Sequence, residues 1–347
     1  MPFQVTIQPS GTELAVPDGE TVLKAALTAG INIPYGCRNG ACGSCKGKLL
    51  KGEIDYGSYS EAALSKIERD AGFALFCCAK PLSDLVIEAR VRQPGDAVVK
   101  KLPCRVHKIE RVADDVVILS IKLPANERLQ FQAGQYIDFL LKDNERRSFS
   151  VGNAPHDDEV TQLHVRLVAD GKFTTHVFNT MKERDILRFE GPLGNFYLRE
   201  DSQKPIILLA SGTGFAPIKS LLEYAFRKGL NSTRAMTLYW GGRRPKDLYL
   251  NDLAQSWAST QANFKYVPVI SDALPEDQWS GRTGFVHRAV MQDFPDLSGH
   301  QVYACGVPIM VDSARNDFTG KCGLKLDDFF ADSFTTTADL VAAQHKD

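Results

Sequence analysis

Three of the eight cysteines in this chain of 347 residues fall within one short glycine-rich loop, as Cys37, Cys42 and Cys45, spaced C-x4-C-x2-C. Gly36, Gly40 and Gly43 are interleaved with them, and Cys77 and Cys78 bring further thiols from a distant segment. Three thiolates from one loop and a fourth from elsewhere is the spacing that holds the two irons of a [2Fe-2S] cluster. Glycine suits such a loop because the backbone must turn its N–H groups toward sulfur and approach it closely. Two blander chemistries compete. A zinc knot usually takes two C-x2-C pairs rather than one run and an outlier. A disulfide framework needs an oxidising compartment, which nothing in the composition suggests. On these residues alone the fourth ligand is open between Cys77 and Cys78.

Two further stretches carry chemistry. Arg147-Ser148-Phe149-Ser150 puts an arginine beside an aromatic ring and two hydroxyls at the end of a strand-like run. Such a set can fix a diphosphate and a planar ring, and it equally describes an ordinary amphipathic edge strand. Pro205 to Ala210 is continuously apolar, as in a strand buried on both faces of a parallel sheet. It runs into Ser211-Gly212-Thr213-Gly214-Phe215-Ala216-Pro217 and then a helical stretch from Ile218 to Arg227. Strand, glycine turn and helix is the context of a dinucleotide phosphate loop. The full G-x-G-x-x-G is absent, because Pro217 stands where its third glycine would be.

The elements that must position these residues follow in order. Residues 3–7 alternate as a strand, and Thr12 to Val16 make a second that ends at the turn signal Pro17-Asp18-Gly19. Thr21 opens a helix over Val22 to Leu27, closed by Gly30. Past the cysteine loop come a strand from Lys46 to Leu50, a short polar helix from Ser60 to Arg69, and a closing strand from Leu85 to Ala89. A breaker-rich, charged segment at 93–101 reads as a linker. Short β-branched runs then suggest a small antiparallel barrel, including Cys104 to Val106, Val116 to Leu123 and Gly134 to Leu140. The last third alternates strand and helix, with strands at Thr237 to Gly242, Lys265 to Ile270 and Gln301 to Gly306. The expected domains are 1–92, 102–200 and 201–340: a β-grasp domain of α+β type, an antiparallel β-barrel, and a parallel-sheet, Rossmann-like α/β domain.

Composition narrows the class. The chain is 44% hydrophobic and 24% charged, as a globular protein is, and its net charge of −1 offers no field for nucleic acid or an anionic membrane. No run approaches a membrane span and the first residues lack a signal peptide's pattern, so a cytoplasmic protein is expected. The seven histidines show no H-x-x-x-H and no Cys-x-His pair, so histidine ligation of a metal is not expected. Through Arg92 the chain holds ten basic and ten acidic residues, which gives a docking partner no large acidic face to steer on.

These motifs together resemble the ferredoxin–NAD(P)H reductase family, in its members that carry an N-terminal plant-type [2Fe-2S] ferredoxin domain. Cys77-Cys78-Ala79-Lys80-Pro81-Leu82-Ser83-Asp84 is similar to the ferredoxin signature C-x-x-x-P-x-S-D. That match implies Cys77 as the fourth metal ligand beside Cys37, Cys42 and Cys45, with Cys78 a neighbour. Arg147 to Ser150, preceded by Gly134-Gln135-Tyr136, is similar to the family's flavin motif. The resemblance implies that Arg147 pairs with the FAD diphosphate, that Phe149 lies along the flavin, that Ser150 stands near its N5, and that Ser148 between them is also cofactor-binding. His164-Val165-Arg166 falls on the strand that passes the cofactor in the family, with His164 and Val165 beside it. Gly171-Lys172-Phe173-Thr174 matches the second flavin element at a helix start, and Gly191-Pro192-Leu193-Gly194 the closing turn.

Gly212-Thr213-Gly214 with Pro217 is the family's variant of the phosphate loop, with Ser211 where relatives often have glycine. Cys305-Gly306-Val307-Pro308 resembles the stretch that lies against the nicotinamide, which implies catalytic roles for Ser150 and Cys305. Asp272, after Ser271, replaces the arginine that pairs with a 2′-phosphate in NADPH-using relatives and can accept from a ribose hydroxyl instead. Arg243 and Arg244 argue weakly the other way, so NADH is expected over NADPH. Phe334 takes the place of a C-terminal aromatic at the flavin, and an apolar anchor for the tail is the competing reading.

The expected activity follows from what each carrier holds. NADH releases two electrons as hydride, a [2Fe-2S] cluster takes one at a time, and FAD can mediate. The acceptor is expected to be a protein. The resemblance spans oxygenase reductase components and the CDP-6-deoxyglucoseen reductases of deoxysugar synthesis, whose partner is a dehydratase. A reading of another class also stands: a metal-knotted, redox-inactive nucleotide-sensing or interaction module.

Overall fold

The computed structural model describes residues 2–334 apart from 32, 37, 41, 42, 62, 92–96, 143 and 144. Two compact units result, one built largely on the stretch 1–96 and the other on 97–192 and 196–332.

In the first unit, period-two burial makes the sheet. Strands β1 (Phe3–Gln8) and β2 (Thr12–Val16) bury Val5, Ile7, Leu14 and Val16 and leave the alternate positions toward solvent. Helix α1 (Val22–Thr28) starts where the Thr21 hydroxyl accepts from Lys24 N, and it buries Val22, Leu23, Ala25 and Ala26. Then come β3 (Lys46–Lys51), β4 (Ile54–Asp55), α2 (Lys66–Asp70), β5 (Phe73–Leu75), β6 (Lys80–Pro81) and β7 (Leu85–Glu88). The sheet order is β2-β1-β7-β3-β5, with β1 and β7 parallel. This is the β-grasp arrangement. The helix expected from Ser60 is shorter and begins only after Ser65. There a capping box stops it extending back: Ser65 N donates to Glu68 Oε2 at 2.9 Å, and the Ser65 hydroxyl accepts from Glu68 N.

The second unit opens with an antiparallel barrel. Strand β8 (Lys100–Ala113) starts inside the segment expected as linker and runs on past Val106 as one long strand. It pairs with β9 (Val116–Lys122), with two register shifts along the pair. Next are β10 (Tyr136–Leu140), β11 (Arg146–Ser150), β12 (Thr161–Arg166), α3 (Lys172–Asn179) and β13 (Ile186–Leu193). The order is β11-β10-β13-β8-β9-β12, and a bridge between Val151 and Leu163 joins its two ends. Val106, Leu119, Ile121, Ile137, Phe139, Val165 and Phe189 fill the interior, and α3 adds Phe173 and Val177.

The rest is α/β: β14 (Ile206–Ser211), α4 (Phe215–Lys228), β15 (Met236–Gly242), α5 (Asn251–Thr260), β16 (Phe264–Ile270), β17 (Arg282–Thr283), α6 (Val286–Asp293), β18 (Gln301–Gly306), α7 (Pro308–Lys321) and β19 (Phe329–Ser333). The sheet order β17-β16-β15-β14-β18-β19 reverses direction between β14 and β18, and pairing from β18 through β17 is parallel. Helix α4 begins at Phe215, ahead of Pro217. A proline in the first turn gives up only an N–H that has no partner within the helix.

Candidate active site

In the first unit, Cys37 and Cys42 lie outside the described residues. Cys45 and Cys77 are both buried, and Cys77 N donates to Cys45 Sγ at 3.4 Å. Cys78 Sγ lies 3.6 Å from Cys77 Sγ. A side-chain hydrogen bond with Cys45 first, and burial after it, push the Cys77 thiol up to about 12. Neighbouring thiols in a buried loop become thiolates together only with a cation to hold them, which is what an iron pair supplies. The backbone closes tightly round them. A Cβ at Gly40, whose φ is +77°, would meet Cys78 Sγ at 2.8 Å and Ser58 O at 2.9 Å. Donor type, burial and cradle fit a cluster.

The barrel's seam brings together the two strands that carry Arg147–Ser150 and His164–Val165. Strand β11 ends at Ser150 and β12 carries His164, and the bridge from Val151 to Leu163 ties the two strands. Arg147 and Phe149 share one face of β11, while Ser148 and Ser150 share the other. The Phe149 ring packs at 5.9 Å from Phe139 and 5.3 Å from Phe173, and it stays partly exposed. The Ser148 hydroxyl donates to Asp138 Oδ1 at 2.6 Å, and Ser150 is buried. Burial, working against that hydrogen bond and the Arg146 charge, holds the Asp138 carboxyl above its ordinary range.

Two cations converge beside this strand. Arg147 Nη2 donates to Glu145 Oε2 at 2.8 Å, and Lys172 Nζ to Glu145 Oε1 at 3.2 Å. Negative charge is met by both cations here, and a ligand's diphosphate would take the place that Glu145 fills. Lys172 opens α3, whose N-cap Gly171 offers no side-chain cap, so first-turn N–H groups remain for an anion. Only glycine fits at 171, because a Cβ there would meet Thr174 Oγ1 at 2.5 Å. Thr174 Oγ1 in turn donates to Gly171 O at 3.1 Å and accepts from Val168 N at 3.2 Å, which fastens the loop rather than pointing outward. The donor set fits a flavin nucleotide's diphosphate. Val165 spends its side chain on the barrel core, which leaves its backbone for any cofactor contact.

His164 points away from the core, toward the nucleotide domain. Its Nδ1 lies 2.8 Å from the Tyr249 hydroxyl, and its buried Nε2 has no partner. Burial first, and the nearby Lys219 charge second, push the imidazole down to about 3, so it is neutral. Donation from Nδ1–H to Tyr249 leaves only a bare acceptor at Nε2, which is the cheaper group to strand. Helix α4 docks at the same place. Lys219 Nζ donates to Gly152 O at 3.1 Å and the Ser220 hydroxyl to Asn153 O at 2.7 Å, on the two residues just beyond β11's bridge.

At the switch point the glycine turn abuts the end of β18. Gly214 lies so close that a Cβ would meet Cys305 O at 2.1 Å, and one at Gly306 would meet Ser211 Oγ at 2.1 Å. Ser211 has a use here: its hydroxyl accepts from Val307 N at 3.2 Å. Thr213 is buried, and Trp240 Nε1 donates to Gly212 O at 3.0 Å. Cys305 is fully buried, and burial keeps its thiol well above its ordinary range, so it is no nucleophile. Asp272 is exposed at the start of the loop that follows β16. Phe334 lies just past β19 and is half-buried, and it is Phe330, on β19, that stacks on Tyr303 at 4.8 Å. Motif reading missed Glu145, Tyr249, Lys219 and Ser220. Of these only Lys219 carried a sequence signal, as a lysine within the apolar start of a helix.

A barrel with a cationic seam, a parallel sheet with a glycine turn at its switch point and a thiol-lined β-grasp unit define a flavin- and dinucleotide-dependent oxidoreductase with its own iron–sulfur domain. The 2Fe-2S iron-sulfur cluster binding domain matches residues 5–82, the oxidoreductase FAD-binding domain 103–197, and the oxidoreductase NAD-binding domain 208–316. The chain belongs to the ferredoxin–NAD(P)H reductase family, among the members with an N-terminal plant-type [2Fe-2S] domain. It is 42% identical over 335 residues to the CDP-6-deoxy-L-threo-D-glycero-4-hexulose-3-dehydrase reductase of Yersinia pseudotuberculosis, covering 96% of this chain and 99% of that one. It is 36% identical to the reductase component of phenol 2-monooxygenase from a Pseudomonas species, covering 98% and 96%. Among solved structures, the Amycolatopsis cytochrome P450 reductase superposes with a TM-score of 0.73 at 32% identity, covering 96% and 99%. The cofactors are a [2Fe-2S] cluster, FAD and NAD(H). Among the described residues, no helix is long and apolar enough to cross a membrane.

Proposed function

We propose that the chain oxidises NADH and delivers the electrons singly to a separate acceptor protein. The observation that carries this reading is the Arg147–Glu145–Lys172 anion position at the barrel seam, in one unit with the switch point of the parallel sheet. Arg147, Lys172 and the first turn of α3 would hold an FAD there, and the bound flavin would supply the exchange between a two-electron hydride donor and one-electron acceptors.

The chain's own residues divide the work. Arg147, Lys172 and the first turn of α3, with Gly171 and Thr174 shaping the loop, hold the flavin diphosphate. Ser148, Phe149, Ser150, Phe173 and the backbone of His164 and Val165 seat the ring. Gly212, Thr213 and Gly214 receive the dinucleotide diphosphate at the N-terminus of α4. Cys305 and Gly306 line the nicotinamide, where a buried neutral thiol excludes water. Asp272 accepts from the ribose hydroxyl and repels a 2′-phosphate, which favours NADH over NADPH. Cys37, Cys42, Cys45 and Cys77 hold the irons within a domain of residues 1–92, joined by 93–101 to a flavin domain of 102–200 and a nucleotide domain of 201–340.

The acceptor is an oxygenase component or a dehydratase acting on a nucleotide-linked deoxysugar. The 42% identity to the hexulose dehydrase reductase supports the second, and the phenol monooxygenase relative the first. An anaerobic titration tests the electron path. NADH is expected to bleach both the flavin and the [2Fe-2S] absorption bands. Bleaching of the flavin alone would overturn the path, and bleaching by NADPH alone would overturn the role of Asp272.

A further inference from the structure

The loops leaving β15 and β16 are bonded together at the C-terminal edge of the parallel sheet. Ser271 N donates to Gly242 O and Asp272 N to Arg243 O, each at 2.9 Å. Outward from the switch point come the glycine turn after β14, the 243–247 loop after β15 and the 271–277 loop after β16. In an open sheet of this kind the adenosine half of a dinucleotide lies over such loops, where an arginine serves a 2′-phosphate and a carboxylate serves a ribose hydroxyl.

Three cations stand on the 243–247 loop, and each has an acidic partner. Arg243 Nε lies 3.5 Å from Asp247 Oδ2, and Lys246 Nζ donates to Asp114 Oδ2 at 2.8 Å. Arg244 is held hardest. Its Nη2 donates to Asp277 Oδ1 at 2.7 Å and to Glu276 Oε1 at 3.2 Å, while its Nε donates to Asp277 Oδ2. The side chains of Arg244 and Asp277 are only 25% and 14% exposed, so this fork is shielded from water. Asp277 is itself anchored, because its Oδ2 also accepts from Leu274 N at 2.9 Å and closes a single turn. Two carboxylates thus outweigh one guanidinium, and Asp272 stands on the same loop.

We infer that Asp277, backed by Glu276, is a specificity-determining positioning residue that holds Arg244 away from a coenzyme 2′-phosphate. The inference rests on the NADH reading above and deepens it: Asp272 supplies the repulsion, and the Asp277 fork withholds a guanidinium that could answer it. The site is a phosphate site kept shut by the protein's own carboxylates.

The test compares wild type, Asp272→Ser, Asp277→Asn with Glu276→Gln, all three changes together, and that triple variant with Arg244→Gln. Asparagine at 277 still accepts from Leu274 N, so the turn stays closed while the charge is lost. Two readouts are taken: kcat/KM for NADH and NADPH, and binding of 2′,5′-ADP against 5′-AMP, which needs neither flavin nor turnover. Asp272→Ser alone is expected to raise NADPH use by about threefold or less, and opening the fork in that background by about tenfold more, the worth of one charge-assisted bond. 2′,5′-ADP binding should tighten in step, 5′-AMP binding should not tighten, and Arg244→Gln should cancel the gain. A gain that survives Arg244→Gln, or a full switch from Asp272→Ser alone, overturns the inference. A wild type that prefers NADPH overturns the coenzyme reading instead. The fork is then judged by 2′,5′-ADP alone: tightening through Arg244 when it is opened keeps the inference, and no tightening overturns it.

Discussion

His164 Nδ1 and the Tyr249 hydroxyl lie 2.8 Å apart, and through this bond a strand of the flavin barrel meets a loop of the nucleotide domain. Lys219 and Ser220 of α4 hold the residues beyond β11 from the same side. The barrel and the nucleotide domain are therefore fastened together at β12 and just beyond β11. Tyr249→Phe would leave the buried imidazole without either partner. A loss of about 1–3 kcal/mol is expected, seen as a lower melting temperature in the flavin-loaded protein, with the conservative His164→Gln keeping part of it.

The same histidine predicts an acid sensitivity. Its folded-state value, about 3, lies below the unfolded one of roughly 6.5. A depressed value means the unfolded chain binds the extra proton. The contribution is complete above about pH 6.5 and is lost progressively as pH falls toward 3. Melting temperature measured from pH 7 to pH 5 should drop less steeply in His164→Gln than in wild type, by the equivalent of about one proton. Equal slopes would place the histidine's charge elsewhere.

Arg147→Ala removes one of the two cations at the Glu145 position. Charge-assisted bonds of this kind are worth about 1.5–3 kcal/mol, so FAD affinity should fall by about 10–100-fold. Gel filtration checks this, with flavin leaving the variant and staying with wild type. Lys172→Ala should act in the same direction and more weakly, because lysine meets a diphosphate as a point charge rather than a fork.

Cys77→Ser and Cys78→Ser separate neighbours whose sulfurs are 3.6 Å apart. Loss of iron and of the visible cluster bands is expected only in the first. The reverse result would move the fourth ligand to Cys78. Neither change should alter bound flavin, which makes flavin content the internal control.

Gly214→Ala would push a Cβ to 2.1 Å from Cys305 O, so one of the two turns must yield. Overpacking of this kind costs about 1–3 kcal/mol. The expected signature is a raised KM for NADH with flavin and iron content unchanged, read from steady-state kinetics and absorption spectra. An unchanged KM would remove the turn from the dinucleotide site.

Much of the fold was legible because its signals are local. Period-two burial in β1 and β2, the Thr21 cap of α1 and the apolar run of β14 each depend on residues within a few positions. Where expectation and structure part, a short-range competitor won. The Ser65–Glu68 capping box cut the first unit's second helix short, and a proline harmless in a first turn let α4 begin at Phe215.

The candidate cluster and phosphate-loop residues were legible as spacing, since thiols round a metal pair and N–H groups round a phosphate need fixed offsets along one loop. Side-chain pairings across long separations leave no such trace. His164 and Tyr249 are 85 positions apart, and Arg244 and Asp277 are 33 apart. Chain distance says nothing of either contact. They exist because β12 borders the barrel's seam and because β15 and β16 run parallel, so the loops at their ends are brought side by side.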